Sequence, residues 1–468
     1  MKWRAVGTVA AMIALTLWGT PVARADDMLA GTAVVDITPP VGYRMSGYFH
    51  ERLSTGTTNP LQAKAIVLKQ GDVRAAMVFC DIIGLSLDAS SRARKAAAGK
   101  TGIPAENILV AATHSHTGPL YFGSLRKHFH DLAVAKHGSD PCEKVDYAER
   151  LVGGIVEAIV KADAAVAPVK LAAGSAEQKG LSFNRRFHMK SGPVRFNPGV
   201  LNPDIVRVAG PIDPEVGIVL IRGAAGGGAR AAIVNFALHL DTVGGTKYAA
   251  DYPFFVEQTL REQLGKDLLC LFGTGTCGDI NHIDVTKRER LKTDHIGCTL
   301  GGTVAAAAGK LKPVAGPCLA VRRRIVNAPL QRYSDEQIAR AREYIKKTGT
   351  RQLSFLEQVE AYKILALQLR GGETIPLETQ AFRLGGEVAI VGLPGEIFVD
   401  LGLAIKRASP FATTLVVELC NDAPGYIPTK KAFAEGSYET VNSRIAPGGG
   451  EMLVEAAAAL LKELAPAR

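Results

Sequence analysis

The sequence predicts an α/β protein in which mixed β-sheets are flanked by helices and form one large domain. Apolar, strand-like runs alternate with amphipathic helical segments along the chain, which is the pattern of α/β folds. The 468 residues are 47% hydrophobic and 21% charged, enough for a sizeable core. Because no low-complexity linker interrupts the chain, we expect one domain over residues 26–468, with a helical pair inserted at about 334–370.

Residues 1–25 have the organisation of a secretory signal peptide. Lys2 and Arg4 precede an apolar run at 6–18, and the Ala-Arg-Ala sequence that ends at Ala25 offers the small residues of a signal-peptidase site. The apolar run is shorter than the roughly 20 residues of a membrane-spanning helix, which disfavours a membrane anchor. We therefore expect a secreted or periplasmic protein, cleaved near Ala25.

The basic composition does not indicate a nucleic-acid-binding protein. The formal net charge is +10, but the basic residues are scattered, and aromatic residues make up only 6% of the chain. A peripheral contact with an anionic membrane or envelope surface stays open, and nothing indicates an obligate protein partner. Seven cysteines are too sparse for a disulfide scaffold, and their odd number leaves at least one unpaired.

The first half of the chain predicts a hairpin followed by a strand–helix–strand unit. The Gln-Gly-Asp sequence at 70–72 separates two apolar runs, which is a hairpin signal. An Ala- and Arg-rich helical segment then leads to a further apolar run. We expect strands at 31–40, 63–69, 74–80, 107–112 and 169–177, and helices at 89–99 and 147–162.

The second half predicts a long loop, further strands and the helical pair. Residues 183–214 are rich in Gly, Pro and Asn, and we expect a polar loop. A loop of this length usually has a function beyond connecting two elements. The helical pair should break near Gly349 and begin with a capping box formed by Ser334 and Gln337. We expect strands at 216–222, 230–240, 268–272, 386–396 and 413–419, and a helix at 447–464.

Two histidines end the apolar run at 107–112. Side chains at i and i+2 of an extended segment point to the same side, so His114 and His116 can face one point in space. Imidazole is the commonest ligand for a catalytic transition metal. This spacing favours a metal site, although both histidines could instead be turn residues with local hydrogen bonds.

Other potential ligands also follow apolar runs, and the carboxyl ends of strands are where α/β folds build active sites. Two or three histidines with one carboxylate are the ligand set of hydrolytic zinc. Each residue also has a structural alternative: His239 as a core histidine, Glu396 as a helix cap and Tyr426 as a packed aromatic residue. The residues concerned are Asp81, His114, His116, His239, Asp279, His282, Glu396 and Tyr426.

At these positions the chain resembles the catalytic domain of the neutral/alkaline non-lysosomal ceramidases. The most specific match is Thr-His-Ser-His-Thr-Gly-Pro at 113–119, and the resemblance extends from about residue 30 to about residue 450. Further matches, in the order of the family, are Gly-Thr-Ala-Val-Val-Asp-Ile-Thr-Pro at 31–39, Met-Ser-Gly-Tyr at 45–48, Asn-Arg at 184–185, Phe-Ala-Leu-His at 236–239, Gly-Asp-Ile-Asn at 278–281 and Leu-Pro-Gly-Glu at 393–396.

The resemblance implies a zinc amidase that cleaves the N-acyl bond of ceramide and is secreted or faces a membrane. It implies that the Zn²⁺ ligands are His114, His239, Glu396 and Tyr426, and that His116 and Arg185 are polar groups around the scissile amide. Tyr438 matches a further active-site tyrosine of the family, and we expect Tyr438 and Asp279 to bind the substrate.

The chain departs from the family at one catalytic position. The family has Gly-Asp-x-Ser, with a serine proposed as nucleophile, where this chain has Asn281 followed by His282. Asn281 could donate to a developing oxyanion or orient water, or simply hold the glycine-rich turn. His282 could serve as a further base or as a ligand of a second metal.

The sequence therefore predicts a secreted zinc-dependent amidohydrolase that acts on a small-molecule or lipid substrate, with a ceramide-like N-acyl sphingolipid the leading candidate. One alternative is a two-metal phosphoesterase that also uses Asp81, Asp279, Asn281 and His282. Another is a catalytically idle envelope binding protein. One zinc ion per chain favours the amidase, two neighbouring ions the phosphoesterase, and none the binding protein.

Overall fold

A computed structural model describes residues 28–316, 318–348 and 351–466. The predicted signal peptide at 1–25 lies outside these residues. The predicted fold class is confirmed, because mixed β-sheets are flanked by helices. None of the described helices is both long and apolar enough to cross a membrane.

The strands of the described residues are numbered in chain order. They are β1 (Leu29–Asp36), β2 (Gly56–Thr57), β3 (Gln62–Gln70), β4 (Val73–Cys80), β5 (Ile108–Ala112), β6 (Ala167–Glu177), β7 (Phe183–Asn184), β8 (Arg186–Met189), β9 (Val194–Phe196), β10 (Ile205–Val208), β11 (Glu215–Gly223), β12 (Ala229–Phe236), β13 (Lys247–Tyr248), β14 (Leu269–Thr274), β15 (Ile280–Asn281), β16 (Lys312–Pro313), β17 (Leu319–Pro329), β18 (Thr374–Leu384), β19 (Val388–Gly392), β20 (Glu396–Ile397), β21 (Thr413–Val417) and β22 (Tyr426–Ile427).

The α-helices of the described residues are numbered in the same way. They are α1 (Leu87–Thr101), α2 (Gly123–His137), α3 (Tyr147–Ala164), α4 (Tyr252–Leu264), α5 (Thr293–Ala307), α6 (Asp335–Ile345), α7 (Phe355–Arg370), α8 (Val399–Ala408), α9 (Lys430–Glu435), α10 (Tyr438–Val441) and α11 (Gly449–Leu464).

Two packed sheets form the centre of the molecule. The larger has nine strands, in the order β14-β12-β11-β6-β1-β3-β4-β5 with β16 paired to β6, and the smaller has the order β17-β18-β19-β21. Residues such as Met77 and Phe382 fill the space between the sheets. Helices α1, α3, α4 and α5 cover the outer face of the larger sheet, and α8 and α11 cover that of the smaller. The result is a four-layer α/β/β/α arrangement.

Strand β4 shows why the sequence takes this form. Ala76 and Val78 pack toward the helices, whereas Met77 and Phe79 pack toward the smaller sheet. Because successive side chains of a strand point to opposite faces, a strand that is covered on both faces is apolar throughout. A shift of one residue in register would move all of these side chains to the wrong layer.

The carboxyl ends of strands from both sheets meet at one edge. β5 runs parallel to β4, β14 to β12, and β21 to β19. The backbone N–H of Ala112 donates to the carbonyl of Leu419 (3.1 Å), and the hydroxyl of Thr274 donates to the carbonyl of Thr113 (2.7 Å). The loops that follow β5, β14 and β21 are thereby held together.

The segment at 183–214 is not the continuous loop that the sequence predicts. It contains β7, β8, β9 and β10, of which three form a small sheet in the order β10-β8-β9. The helical pair is present as α6 and α7, and each begins with a capping box. The predicted break near Gly349 falls at residues 349–350, outside the described part of the chain.

Candidate metal centre

Three imidazoles meet where the strands end. Nε2 of His114 lies 3.0 Å from Nε2 of His239 and 3.3 Å from Nε2 of His116. His114 and His239 are buried, and His116 is half-buried. The structure thus brings together the two histidines that follow β5 and the one that follows β12.

The backbone fixes the orientation of His114. Its φ angle is 80°, a left-handed conformation that is uncommon for a residue with a side chain and that often marks a functional site. Nδ1 lies 2.7 Å from the carbonyl oxygen of Ile83. Because a carbonyl only accepts, Nδ1 must carry the hydrogen, which leaves a lone pair on Nε2 in the neutral ring.

His239 is held in a similar way. Its Nδ1 lies 3.4 Å from the carbonyl oxygen of Cys277, so Nε2 again points its lone pair into the cluster. Burial, and next the neighbouring His114, lower the pKa of His239 well below its usual value, so the ring is neutral, as a metal ligand must be. Two lone pairs 3.0 Å apart repel each other unless a proton or a cation lies between them.

Glu396 on β20 completes the donor set. Its Oε2 lies 3.4 Å from Nε2 of His114 and 4.0 Å from Nε2 of His239. The same oxygen is buried and accepts no hydrogen bond, and buried carboxylate oxygens rarely lack a partner. Burial is the largest single effect on the pKa of Glu396 and raises it, but His114, Tyr426 and Arg185 together lower the pKa by more, so the net shift is downward. Two imidazole nitrogens, from His114 and His239, and one ionised carboxylate fit a catalytic Zn²⁺, which has three protein ligands and an open position for water.

Tyr426 lies beside Glu396 because the short strands β20 and β22 run parallel and pair these two residues directly. The phenol is buried, and its ring centre is 5.4 Å from that of Tyr438. Burial, and next the charge of Glu396, raise the pKa of Tyr426 well above its usual value. The neutral phenol can donate a hydrogen bond; its assignment as a ligand stays a prediction.

Arg185 lies between β7 and β8 and is buried. Its Nε donates to Glu439 (2.9 Å) and its Nη2 donates to the carbonyl of Gly278 (2.7 Å). The guanidinium carbon also lies 5.4 Å from the ring centre of Tyr426 and 5.9 Å from that of Tyr438. Arg185 therefore has a structural ion pair and also borders the candidate site; its predicted contact with substrate stays a prediction.

The Gly-Asp-Ile-Asn segment is held mainly by internal hydrogen bonds. Asn281 donates to Asn197 (2.7 Å) and accepts from the backbone N–H of Ile283 (3.0 Å). Asp279 accepts from Val399 (2.9 Å), the first residue of α8, and from the Asn184 side chain (2.8 Å). Burial raises the pKa of Asp279 to about 6.

Asp81 and His282 also lie outside the three-histidine cluster. Asp81 accepts from the backbone N–H of Gln62 (3.0 Å) and, more weakly, from Thr113 (3.4 Å). Nδ1 of His282 is buried without a hydrogen bond, and burial lowers the pKa of this imidazole. This geometry does not support the prediction that Asp81 and His282 bind a second metal ion.

Glu418 is a buried carboxylate that the sequence reasoning missed. It accepts hydrogen bonds from the backbone N–H groups of Cys277 (3.1 Å) and Ile397 (2.7 Å), the two segments that carry His239's partner and Glu396. Burial raises its pKa to about 8. The signal was available, because Glu418 directly follows the apolar strand β21.

A second group of potential ligands consists of His130, Asp140 and Glu143. Arg44 already fills it, with Nη1 at 2.5 Å from Asp140 and 3.1 Å from Glu143. A guanidinium in this position takes the place that a cation would need. We interpret this group as a structural ion-pair network.

A cavity of about 210 Å³ opens beside His114 and Glu396. Aromatic side chains line much of it, namely Phe49, Phe122 and Tyr362. A larger cavity of about 620 Å³ lies between β6, α5 and the start of β21 and includes none of the predicted site residues. The smaller cavity is therefore the relevant one.

Fold and site together define an α/β protein with a histidine–carboxylate centre at the meeting point of two sheets. No family model and no curated protein matches the chain. Among solved structures, the neutral ceramidase from Pseudomonas aeruginosa matches with a TM-score of 0.67 and 18% identity, over 94% of this chain and 75% of that one. A ceramidase complexed with C2 matches with a TM-score of 0.66 and 19% identity, over 94% and 76%. The chain thus has the neutral ceramidase fold, which confirms the resemblance at that level.

Proposed function

We propose that the protein is a zinc-dependent hydrolase of the amide bond in N-acyl lipids, with a ceramide-like N-acyl sphingolipid as the first substrate to test. The observation that carries the proposal is the buried, unpartnered Oε2 of Glu396 next to the Nε2 atoms of His114 and His239. The fold shared with ceramidase structures gives independent support.

Zn²⁺ held by His114, His239 and Glu396 would supply Lewis acidity toward an amide carbonyl and toward water. His116 is the more exposed imidazole of the cluster, with Nδ1 3.8 Å from Oδ1 of Asp241. We assign it the proton transfers between water and the leaving amine. The neutral phenol of Tyr426 donates to the oxygen on which negative charge develops, and Arg185 behind it contributes positive potential.

A row of aromatic rings gives an acyl chain an apolar route to this centre. Phe355, at the start of α7, is 44% exposed. Its ring centre lies 5.4 Å from that of Tyr438, which lies 5.4 Å from that of Tyr426 next to Glu396. Phe196 stacks on Tyr438 at 4.6 Å. We propose that a lipid enters along these rings from a membrane or envelope surface, after secretion of the protein.

The geometry does not favour the two alternatives. Within the described residues, Asp81, Asp279 and Asn281 have hydrogen-bond partners of their own and do not join the histidine cluster. In a protein that only binds its ligand, a carboxylate oxygen buried without a partner would cost stability and serve no function.

Metal analysis and turnover together test the proposal. We expect close to one zinc ion per chain, hydrolysis of N-dodecanoyl-sphingosine, loss of turnover on chelation and recovery on addition of zinc. Two ions per chain with hydrolysis of a phosphate ester would establish the phosphoesterase. Absence of metal together with lipid binding and no turnover would establish the binding protein.

A further inference from the structure

The cavity beside His114 and Glu396 has two cationic side chains in its wall. These are Lys363 on α7 and Arg444, which follows α10. Within the described part of the chain, neither Lys363 nor Arg444 forms a salt bridge. No carboxylate oxygen there therefore lies within 4.0 Å of either charged group. Both cations therefore lie at the cavity without a directly bound anion.

Lys363 is buried, with 5% of its surface exposed. Its ammonium group contacts the hydroxyl of Tyr333 and lies 4.4 Å from the centre of that ring. Burial raises the pKa of Tyr333, so its phenol stays neutral and does not balance the charge. Burying an ammonium group without a carboxylate costs stability, so a methionine of similar shape would suit the fold better.

The surrounding charges leave a positive balance at this wall. Burial, and to a smaller extent Arg370, lower the pKa of Arg444, while Asp422 opposes them. Asp422 is engaged with the backbone N–H of Ala423 (2.8 Å). Glu360 is the carboxylate whose charge acts on Lys363. Of the residues that line the cavity, Lys363 and Arg444 carry positive side chains, and the carboxylate is Glu396, whose charge belongs to the metal centre.

The size of the cavity limits what it can hold. The cavity has a volume of about 210 Å³, so a compact charged group next to the amide is of a size to enter it. The acyl chain can leave past Phe49 and Tyr362, whose rings continue to Phe355 (5.6 Å from Phe49).

We propose that this cavity binds an anionic group next to the scissile amide, so that the preferred substrate is an N-acyl amine with a carboxylate or phosphate group. The inference rests on the proposed amidase function and narrows its substrate class. The ammonium group of Lys363 and the guanidinium of Arg444 would supply the charge-assisted hydrogen bonds that a neutral hydroxyl group cannot match.

Three substrates that differ only in the head group test the inference. They are N-dodecanoylglycine, N-dodecanoyl-O-phosphoethanolamine and the neutral N-dodecanoylethanolamine, assayed with zinc-loaded protein. We expect kcat/KM to be at least tenfold higher for one of the charged substrates, and the favoured one identifies the anion. Equal kcat/KM values for all three substrates would overturn the inference.

Substitutions of Lys363 and Arg444 test whether these two cations cause the preference for a charged substrate. Lys363→Met and Arg444→Met should each lower kcat/KM for the favoured charged substrate at least tenfold more than for the neutral one. Lys363→Arg and Arg444→Lys keep the charge and should retain most of the preference. Lys346→Met makes the same charge change at an exposed site at the C-terminal end of α6, and should leave the preference intact. Equal losses on charged and neutral substrates would contradict the inference.

Calorimetric binding separates this inference from the proposed function. If the protein hydrolyses no amide, the proposed function fails, but N-dodecanoylglycine should still bind more tightly than N-dodecanoylethanolamine. That difference should disappear in the Lys363→Met, Arg444→Met double variant, provided its melting temperature shows that it is folded. Equal binding of both compounds by the unmodified protein would reject the anion site itself.

Discussion

Oε2 of Glu396 lies 3.4 Å from Nε2 of His114, buried and without a hydrogen bond. The two residues are 282 positions apart in the sequence. His114 lies in the loop after β5, and Glu396 is the first residue of β20. A fold gains little from burying an unsatisfied carboxylate oxygen against histidines. A cation between these groups would satisfy Glu396, His114 and His239 together.

The first prediction concerns this carboxylate. Glu396→Gln keeps the shape of the side chain but removes the charge that a metal needs, so zinc content should fall from about one ion per chain to near zero, and turnover should be lost. Circular dichroism should show unchanged secondary structure, because β20 is only two residues long. Metal content is measured by mass spectrometry after dialysis.

A matched histidine variant controls this experiment. His282 is also buried, but it lies outside the three-histidine cluster. His282→Gln should therefore retain zinc. Full zinc content in Glu396→Gln would remove Glu396 from the metal centre, and zinc loss in His282→Gln would add His282 to it.

The second prediction separates structure from catalysis at Arg185. Arg185 and Arg186 both pair with Glu439, each at 2.9 Å. A lysine lacks the planar fork, so either Arg→Lys change should lower stability by about 1.5–3 kcal/mol, the range for a hydrogen bond to a charged group. Only Arg185→Lys should also lower kcat, because Arg185 faces Tyr426, whereas Arg186 lies over Phe398.

Denaturant unfolding and steady-state kinetics at a temperature where both variants are folded provide the comparison. A normal kcat in Arg185→Lys, with wild-type zinc content, would show that Arg185 has only a structural role. An equal fall of kcat in Arg186→Lys would show that the Glu439 ion pairs, rather than Arg185 itself, control the site.

Much of this site could be predicted because its residues follow apolar strands. His114 and His116 meet as predicted, but not by strand alternation, because β5 ends at Ala112 and His114 has a left-handed φ of 80°. Parallel strands bring His239 and Glu396 to the same edge. Glu418 has the same signal after β21 and was overlooked. The contact between Phe355 and Tyr438 (5.4 Å) could not be predicted, because it depends on how α7 docks on α10. The short strands within 183–214 were missed because a polar, glycine-rich segment has no apolar periodicity.

The third prediction concerns stability and pH at Lys363. Burial lowers its pKa from 10.5 to about 8. Between pH 8 and 10.5 the unfolded chain therefore binds more protons than the folded one, so the free energy of unfolding should rise with pH across this window. Below pH 8 the full cost of burying the charged ammonium group applies, about 3.5 kcal/mol at roughly 1.4 kcal/mol for each tenfold change in proton affinity.

Lys363→Met should remove both effects. The variant should be more stable than the original chain at pH 7, and the rise between pH 8 and 10.5 should flatten. Urea unfolding at a series of pH values gives both quantities. A variant that is less stable at pH 7, with an unchanged pH profile, would show that the ammonium group is well satisfied in the fold.

The last prediction concerns the absence of a serine at Asn281. A serine nucleophile forms an acyl-enzyme, whereas metal-assisted attack by water leaves no covalent species. Rapidly quenched reactions should therefore contain no acylated protein by mass spectrometry. The sequence also suggested Asn281 as an oxyanion donor, whose loss would cost about 2.7–4 kcal/mol of transition-state stabilisation. The structure gives its side chain two loop contacts instead, to Asn197 (2.7 Å) and to the backbone N–H of Ile283 (3.0 Å).

Asn281→Ala distinguishes these roles. If the side chain only holds the loop, the variant should lose about 2 kcal/mol of unfolding free energy, at roughly 1 kcal/mol for each neutral hydrogen bond, and keep its kcat. If it also stabilises the oxyanion, kcat should fall by a factor of about 10² to 10³ with zinc retained. The loop contacts lead us to expect the first result. A stable acyl adduct on a serine, for example the buried Ser115 between His114 and His116, would overturn direct attack by water whichever result is found.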